Sequence, residues 1–239
     1  MIILNLGCGT KTSNVEGVIN IDWSPILRIK KSKILRSLSG VLLSGERKDK
    51  FAAIPENIFV TDISKGIPYH SESVDAVYSS HLLEHLDRHV SRVFVKEVYR
   101  VLKPNGIART VVPDFEFLCE NYLRSIKKNH DAPDKHEYYI SEIIEQCVRK
   151  ESYGTGKQNY VRRKIENILL GDARKRGETH QWMYDRITLS ELMLSSGFRS
   201  TKQCTYKESK IPRWSDIGLD CTVDGAEYKP GSLYLESVK

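Results

Sequence analysis

The sequence predicts an α/β fold: a doubly wound, mostly parallel sheet with an antiparallel C-terminal strand and a helical insert. Three observations predict it. Short apolar runs alternate with amphipathic stretches through the first half, as strand–helix units do. Several of these runs end in glycine, aspartate or histidine, the residue types that face ligands at the carboxyl ends of parallel strands. The second half is heavily charged and helical in pattern before two further strand-like runs close the chain.

Taken in order, residues 1–6 read as a buried strand running into Gly7-Cys8-Gly9, and residues 17–22 as a second strand ending at Asp22. Only about ten residues separate them, so any first helix is short. Residues 26–43 space Ile26, Leu27, Ile29, Ile34, Leu35, Leu38, Val41 and Leu42 among basic residues, as one amphipathic helix or two short ones do. A third strand is predicted at 57–61, before Asp62, and an alternating fourth at 74–79. Residues 88–102 form a helix with Val93, Val95, Val98 and Val101 available to bury. Lys103-Pro104-Asn105-Gly106 stops it, and 107–112 is a fifth strand. Helices follow at 115–127, 134–150 and 158–175. Thr188-Leu189-Ser190-Glu191 matches a capping box for a helix that Gly197 ends, and strands at 200–206 and 232–238 complete the sheet.

The 239 residues suffice for one large domain, with 40% hydrophobic and 28% charged residues. No apolar run approaches the roughly 20 residues that span a bilayer, and the N-terminal residues lack the basic start of a signal peptide. A cytoplasmic location is expected. The five cysteines are scattered without a Cys-x-x-Cys pair, which argues against a disulfide framework or zinc knuckle. Much of the +6 formal charge lies in 28–50, where Arg28, Lys30, Lys31, Lys33, Arg36, Arg47, Lys48 and Lys50 oppose Glu46 and Asp49. Such a stretch is either a solvated helix face or a surface for anionic lipid, nucleic acid or a phosphorylated substrate.

The chemistry-bearing residues follow the strands. A Gly-x-Gly turn lets a ligand approach the backbone closely, because glycine adopts positive φ and has no side chain to obstruct it. Asp22 is placed to accept hydrogen bonds from ribose hydroxyls, as an acid at that strand end does in dinucleotide-binding folds. Asp62 is placed to accept from an exocyclic amine. Each acid alone reads equally well as a helix cap or turn residue.

With Leu4–Gly9, Asn20–Asp22, Val60–Ile63, Ser73–His85 and Val101–Gly106 in hand, the chain resembles a class I S-adenosylmethionine-dependent methyltransferase of the type 11 group, with a Rossmann-like sheet. The match covers residues 1–114. Gly177–Asp185 and the helix ending at Gly197-Phe198 resemble a subset linked to bacterial surface-polysaccharide synthesis. The resemblance implies a single domain over 1–239: a cofactor-binding half at 1–114, a helical acceptor cap at 115–185, and a sheet completion at 186–239. It implies S-adenosylmethionine as cofactor, held by Leu6, Gly7, Cys8, Gly9, Asp22, Trp23, Asp62, Ile63, Ser79, Ser80 and His81. It also implies methyl transfer to an oxygen of a sugar or other small glycan-type acceptor. The family usually has an acid at the position of Asn5 and a glycine at that of Lys11, departures that predict a weaker cofactor loop. A hydroxyl acceptor must lose a proton, and His81, His85, His180 and Asp114 compete for that task.

Other readings stay open at this point. His81-Leu82-Leu83-Glu84-His85 is also a literal His-x-x-Glu-His, which on a helix would set two histidines on one face as zinc ligands. That reading leaves the glycine turn, Asp22 and Asp62 unexplained, and no metal is expected. Trp182 and Tyr184 could form a sugar-stacking wall or ordinary core. The basic stretch could serve an anionic membrane surface or a nucleic-acid substrate, and the fold alone would also allow a non-catalytic cofactor-binding regulator. No particular oligomeric state is implied.

Overall fold

A computed structural model gives the architecture and describes residues 1–23, 27, 30, 54–128, 133–146 and 179–239. Seven strands form one sheet: β1 (Ile3–Leu6), β2 (Val18–Asp22), β3 (Ile58–Val60), β4 (Val74–Ser80), β5 (Leu102–Pro113), β6 (Ser200–Cys204) and β7 (Ser232–Val238). Their order is β3-β2-β1-β4-β5-β7-β6. The pairs among β1 to β5 are parallel, and β7 runs antiparallel between β5 and β6. The expected α/β sheet with a reversed C-terminal strand is therefore present. The strand order turns back between β1 and β4. In an open parallel sheet this switch point opens a crevice beyond the strand ends. Here the crevice lies between Gly7 and His81, because Leu6 pairs with Ser79.

Five helices accompany the sheet among the described residues: α1 (Arg88–Val101), α2 (Phe115–Lys128), α3 (Pro133–Gln146), α4 (Arg186–Ser195) and the single turn α5 (Trp214–Ile217). Alternation along β4 sends Val77 into one core with α1 and α4, and Ala76 and Tyr78 into a second core with Trp214 and Tyr234. The sheet is thus covered on both faces.

Several local expectations are corrected. No helix forms between β1 and β2; the short connection is made of turns. Helix α1 buries Phe94, Val95, Val98 and Val101, while Val93 stands on the solvent face, 48% exposed. Residues 103–106 do turn, but as a bulge inside β5: Val74 pairs with Leu102 and Ala76 with Ile107. Asn105 takes φ +66° within it. The capping box of α4 lies three residues earlier than Thr188 suggests. Asp185 is the cap, its Oδ1 accepting from Thr188 N at 2.7 Å while Thr188 Oγ1 accepts from Asp185 N. Two acceptors on either side of one turn satisfy two otherwise orphaned amides, which fixes the helix start there. The predicted helices at 26–43 and 158–175 fall outside the described residues, as does most of the basic stretch. Lys30 is described: it donates to Ile54 O and pairs with Glu56 at 3.1 Å.

A fully buried arginine ties β5 to the C-terminal segment. Arg109 Nε donates to Asp220 at 2.7 Å and Nη1 to Glu236 at 2.9 Å. Two further guanidinium hydrogens reach the carbonyls of Glu208 and Thr205. Tyr78 donates to the other Asp220 oxygen at 2.6 Å, and Ser209 and Lys210 N complete Glu236. Trp214 and Tyr234 pack their rings against the cation. Four of the five guanidinium N–H donors are answered in this way, as a buried charge requires.

A second buried network shapes the glycine turn. The Asn5 amide donates to Lys11 O and to Asn20 Oδ1, both at 3.0 Å, and Asn20 in turn holds Ser13. The donating amide braces the loop in a way an acid at position 5 could not, since a carboxylate only accepts. Lys11 needs no glycine-like backbone, for its φ is not positive, and its ammonium reaches out to Cys221 O at 2.5 Å.

Two outcomes follow. Arg109→Met strands two buried carboxylates and is expected to lower unfolding free energy by about 3–5 kcal/mol, read by urea denaturation. Asn5→Asp sets a carboxylate against two acceptors and is expected to cost about 1–3 kcal/mol. In the same assay, an Asn5→Asp protein as stable as the parent would show that the amide does not brace the loop.

Candidate active site

The turn after β1 is built from left-handed glycines. Gly7 has φ +66°, and a Cβ there would sit 2.9 Å from Leu82, so the backbone and the 81–85 turn are in direct contact. Gly9 has φ +53°, and a Cβ there would meet nothing within 4 Å. The first glycine is needed for packing, while the second leaves open space. Leu6 and Cys8 between and before them are buried. Burial, with the nearby Asp22 charge, pushes the Cys8 thiol well up, which keeps it protonated and unreactive.

Asp22 ends β2 and is 9% exposed. Its Oδ2 accepts from Gly9 N at 2.8 Å, so the acid holds the turn in shape from the neighbouring strand. Trp23 follows, 39% exposed. Asp62 follows β3 and leads into the short turn Ile63–Lys65, with Lys65 3.7 Å away. Trp23, Thr61 and Asp62 line one side of an open pocket of about 550 Å³, which Glu97 and Arg100 close on the other.

Ser79 and Ser80 end β4, Ser79 being buried. His81 follows with φ +50°, an uncommon backbone for a residue with a Cβ, held by its N–H donating to Val111 O at 2.8 Å. Both ring nitrogens are engaged. Nε2 lies 2.9 Å from Ser232 Oγ, whose own proton goes to Lys229 O. Nδ1 lies 3.2 Å from Glu84 Oε1, within ion-pair distance but off the line of a hydrogen bond.

Residues 81–85 are not one helical face. Leu83–His85 is a single 3₁₀ turn and His81 is left-handed, so the paired-histidine geometry suggested by His-x-x-Glu-His is absent. Instead the fold brings Glu84 and His85 to His180, 95 positions on from His85 in sequence. The link is backbone: Gln181 N and Trp182 N both donate to Glu84 O. The His85 and His180 rings meet edge to face at 4.8 Å. Burial would raise the Glu84 carboxyl, but His81 and His85 outweigh it and hold the group below its ordinary range. Burial likewise pushes His85 down, with Glu84 opposing.

Asp114 lies outside this cluster. Its Oδ1 accepts from Glu116 N and Phe117 N at the start of α2, an N-cap, and burial raises its carboxyl. Trp182 and Tyr184 do not form an open wall. Arg88 covers the Trp182 ring at 4.2 Å, and Tyr184 is buried with its hydroxyl on Ser91. Glu84, Thr179, Lys229 and Ser232 complete the cluster and were not singled out as site residues. Only Glu84 had a signal, as the acid within the His-x-x-Glu-His run; the others arrive from distant segments.

Residues 4–110 match the family model described as a methyltransferase domain. No curated protein sequence matches the chain significantly. Among solved structures, the chain is similar to an S-adenosylmethionine-dependent methyltransferase of Thermotoga maritima, at 15% identity over 100% of this chain and 82% of that one, with TM-score 0.42. It is similar to another from Archaeoglobus fulgidus, at 14% identity over 99% and 85%, with TM-score 0.43. It is also similar to the 1,6-didemethyltoxoflavin-N1-methyltransferase of Burkholderia thailandensis, solved with S-adenosylhomocysteine, at 11% identity over 100% and 70%, with TM-score 0.41. No helix among the described residues is long and apolar enough to cross a membrane. The methyltransferase match spans β1 through most of β5, the strands that carry the glycine turn, Asp22, Asp62 and His81. Residues 4–110, a little under half of the chain, thus match a methyltransferase domain.

Proposed function

We propose that the chain methylates a hydroxyl oxygen of a small polyhydroxylated acceptor, a sugar or glycan unit. The observation that carries this reading is the contact of Leu82 with Gly7, which sets the Glu84–His85–His180 cluster against the glycine turn. The cofactor supplies a methyl group already activated on a sulfonium, so the protein's task is chiefly positioning. A neutral amine could take that methyl without help, whereas a hydroxyl must shed a proton. A half-buried imidazole pair with a buried acid beside the turn suits the second kind of acceptor.

The residues present fit the cofactor. The space left open at Gly9 accommodates its methionine portion against the backbone, and Asp22 receives the ribose hydroxyls. Asp62 and Ile63 hold the adenine side, with Trp23 at the rim and Ser79 and Ser80 closing the crevice. Asn5 acts on the cofactor indirectly, by bracing the loop. The sugar class is supported by the resemblance of Gly177–Asp185 and Gly197-Phe198 to methyltransferases linked to bacterial surface-polysaccharide synthesis. The basic residues of 28–50 would serve a phosphorylated or lipid-linked form of that sugar on an anionic membrane surface.

Asp22→Ala is expected to weaken S-adenosylhomocysteine binding at least tenfold, about 1.4 kcal/mol, in titration calorimetry; unchanged affinity would take Asp22 out of the ribose site. The acceptor is tested by incubating the enzyme with methyl-labelled S-adenosylmethionine and a panel of free and nucleotide-linked sugars, amines and RNA. Label in a sugar ether is expected. Label confined to amines or RNA would overturn the hydroxyl reading.

A further inference from the structure

Glu84 is buried at 0% exposure, and neither carboxylate oxygen has a hydrogen-bond partner. No lysine or arginine among the described residues pairs with it within 4.0 Å; its close neighbour is His81 Nδ1 at 3.2 Å. A carboxylate buried this way has lost its water and is left with neighbouring imidazoles alone to offset that loss. Such a group persists where something else binds it. His85 and His180 converge on the same point: one ligand atom from each of Glu84, His85 and His180 lies within 4.8 Å of the other two. The His85 ring is also oriented for this. Its Nδ1 sits 3.3 Å from Thr179 O, so the N–H belongs there and the lone pair is left on Nε2. A backbone carbonyl on the far ring nitrogen is the usual support of a metal-binding histidine.

We propose that Glu84, His85 and His180 bind a divalent first-row transition ion, which holds the acceptor oxygen beside the glycine turn; the second half rests on the hydroxyl-acceptor reading. Two imidazole nitrogens and one carboxylate suit zinc, iron, cobalt or manganese, whereas magnesium and calcium prefer all-oxygen sets. Around such an ion, donors about 2.1 Å from it stand about 3.4 Å apart in a tetrahedron. The observed spread of up to 4.8 Å therefore has to contract by up to about 1.4 Å. Three protein donors leave at least one position open, as catalytic rather than structural sites do. His81 lies outside the set. It links Glu84 to Ser232 of β7 and so orients the carboxylate from behind.

The open position gives the cluster its chemical use. An ion lowers the pKa of a bound hydroxyl, as it does for bound water. The acceptor hydroxyl binds the ion and releases its proton to solvent. Its oxygen then forms a bond to the methyl carbon as the carbon–sulfur bond breaks, that electron pair staying on sulfur. The products are a methyl ether, a thioether and one proton.

The test uses the full chain, stripped with chelator and dialysed, then titrated with cobalt(II) followed by zinc. We expect one cobalt per chain, a visible ligand-field spectrum, and its loss as zinc displaces cobalt. Glu84→Gln and His180→Ala should each weaken cobalt at least 100-fold while S-adenosylhomocysteine affinity stays within twofold, which also certifies that each variant is folded. Absence of stoichiometric cobalt binding, or binding unchanged in both variants, would overturn the site. In a parallel assay the stripped enzyme should lose sugar methylation at least tenfold and regain it with added metal. Equal turnover with and without metal would overturn the ion's role toward the acceptor. Because the cobalt titration needs no acceptor, a failed choice of sugar cannot be mistaken for a missing metal site.

Discussion

Arg109 carries a full positive charge into the middle of the sheet, where its side chain is out of contact with water. A charge in that position has to be met by opposite charge and by acceptors in fixed places. Asp220 and Glu236 meet it, and the carbonyls of Thr205 and Glu208 take two further hydrogens. This constraint decides where the whole segment from 205 to 236 lies. The same segment then reaches around to the carboxyl ends of the strands. It supplies Cys221 O to Lys11 beside the glycine turn and Ser232 to His81. A polar network in the second core thus fixes two contacts at the proposed site.

The site has a matching logic on its other side. Gly7 packs on Leu82, Asp22 holds Gly9, and Asn5 with Asn20 braces the rest of the loop. The departures from the family pattern at Asn5 and Lys11 become intelligible here. Both side chains are used to fasten the loop, one to a neighbouring strand and one to the C-terminal segment. What looks in sequence like a loosened glycine loop is a loop tied by side chains.

Much of the fold could be read from local pattern. The strands at 3–6, 18–22, 74–80 and 232–238 are legible because their apolar runs or alternation are unbroken. The early part of β5 was not, because Lys103–Gly106 is chemically a turn and the structure folds it as a bulge within the strand. The start of α4 was misplaced because Thr188-x-x-Glu191 is a valid box in isolation. Only the structure shows that Asp185 reaches Thr188 first. The glycine turn, Asp22, Asp62 and His81 were legible because each closes a recognisable strand. The histidine–glutamate cluster was legible only in part. The run 81–85 folds as a left-handed residue and a 3₁₀ turn rather than one helical face, and the partner that completes the cluster, His180, is joined through backbone contacts that leave no mark on composition or spacing.

The account rests on the adenosyl cofactor lying across the carboxyl ends of β1, β2 and β4. A crystal structure of the chain soaked or grown with S-adenosylhomocysteine tests this most directly. The sulfur is expected beside Gly7 and Gly9, the ribose hydroxyls on Asp22 and the adenine alongside Asp62. A ligand bound elsewhere on the sheet, or one whose ribose is turned away from Asp22, would contradict it.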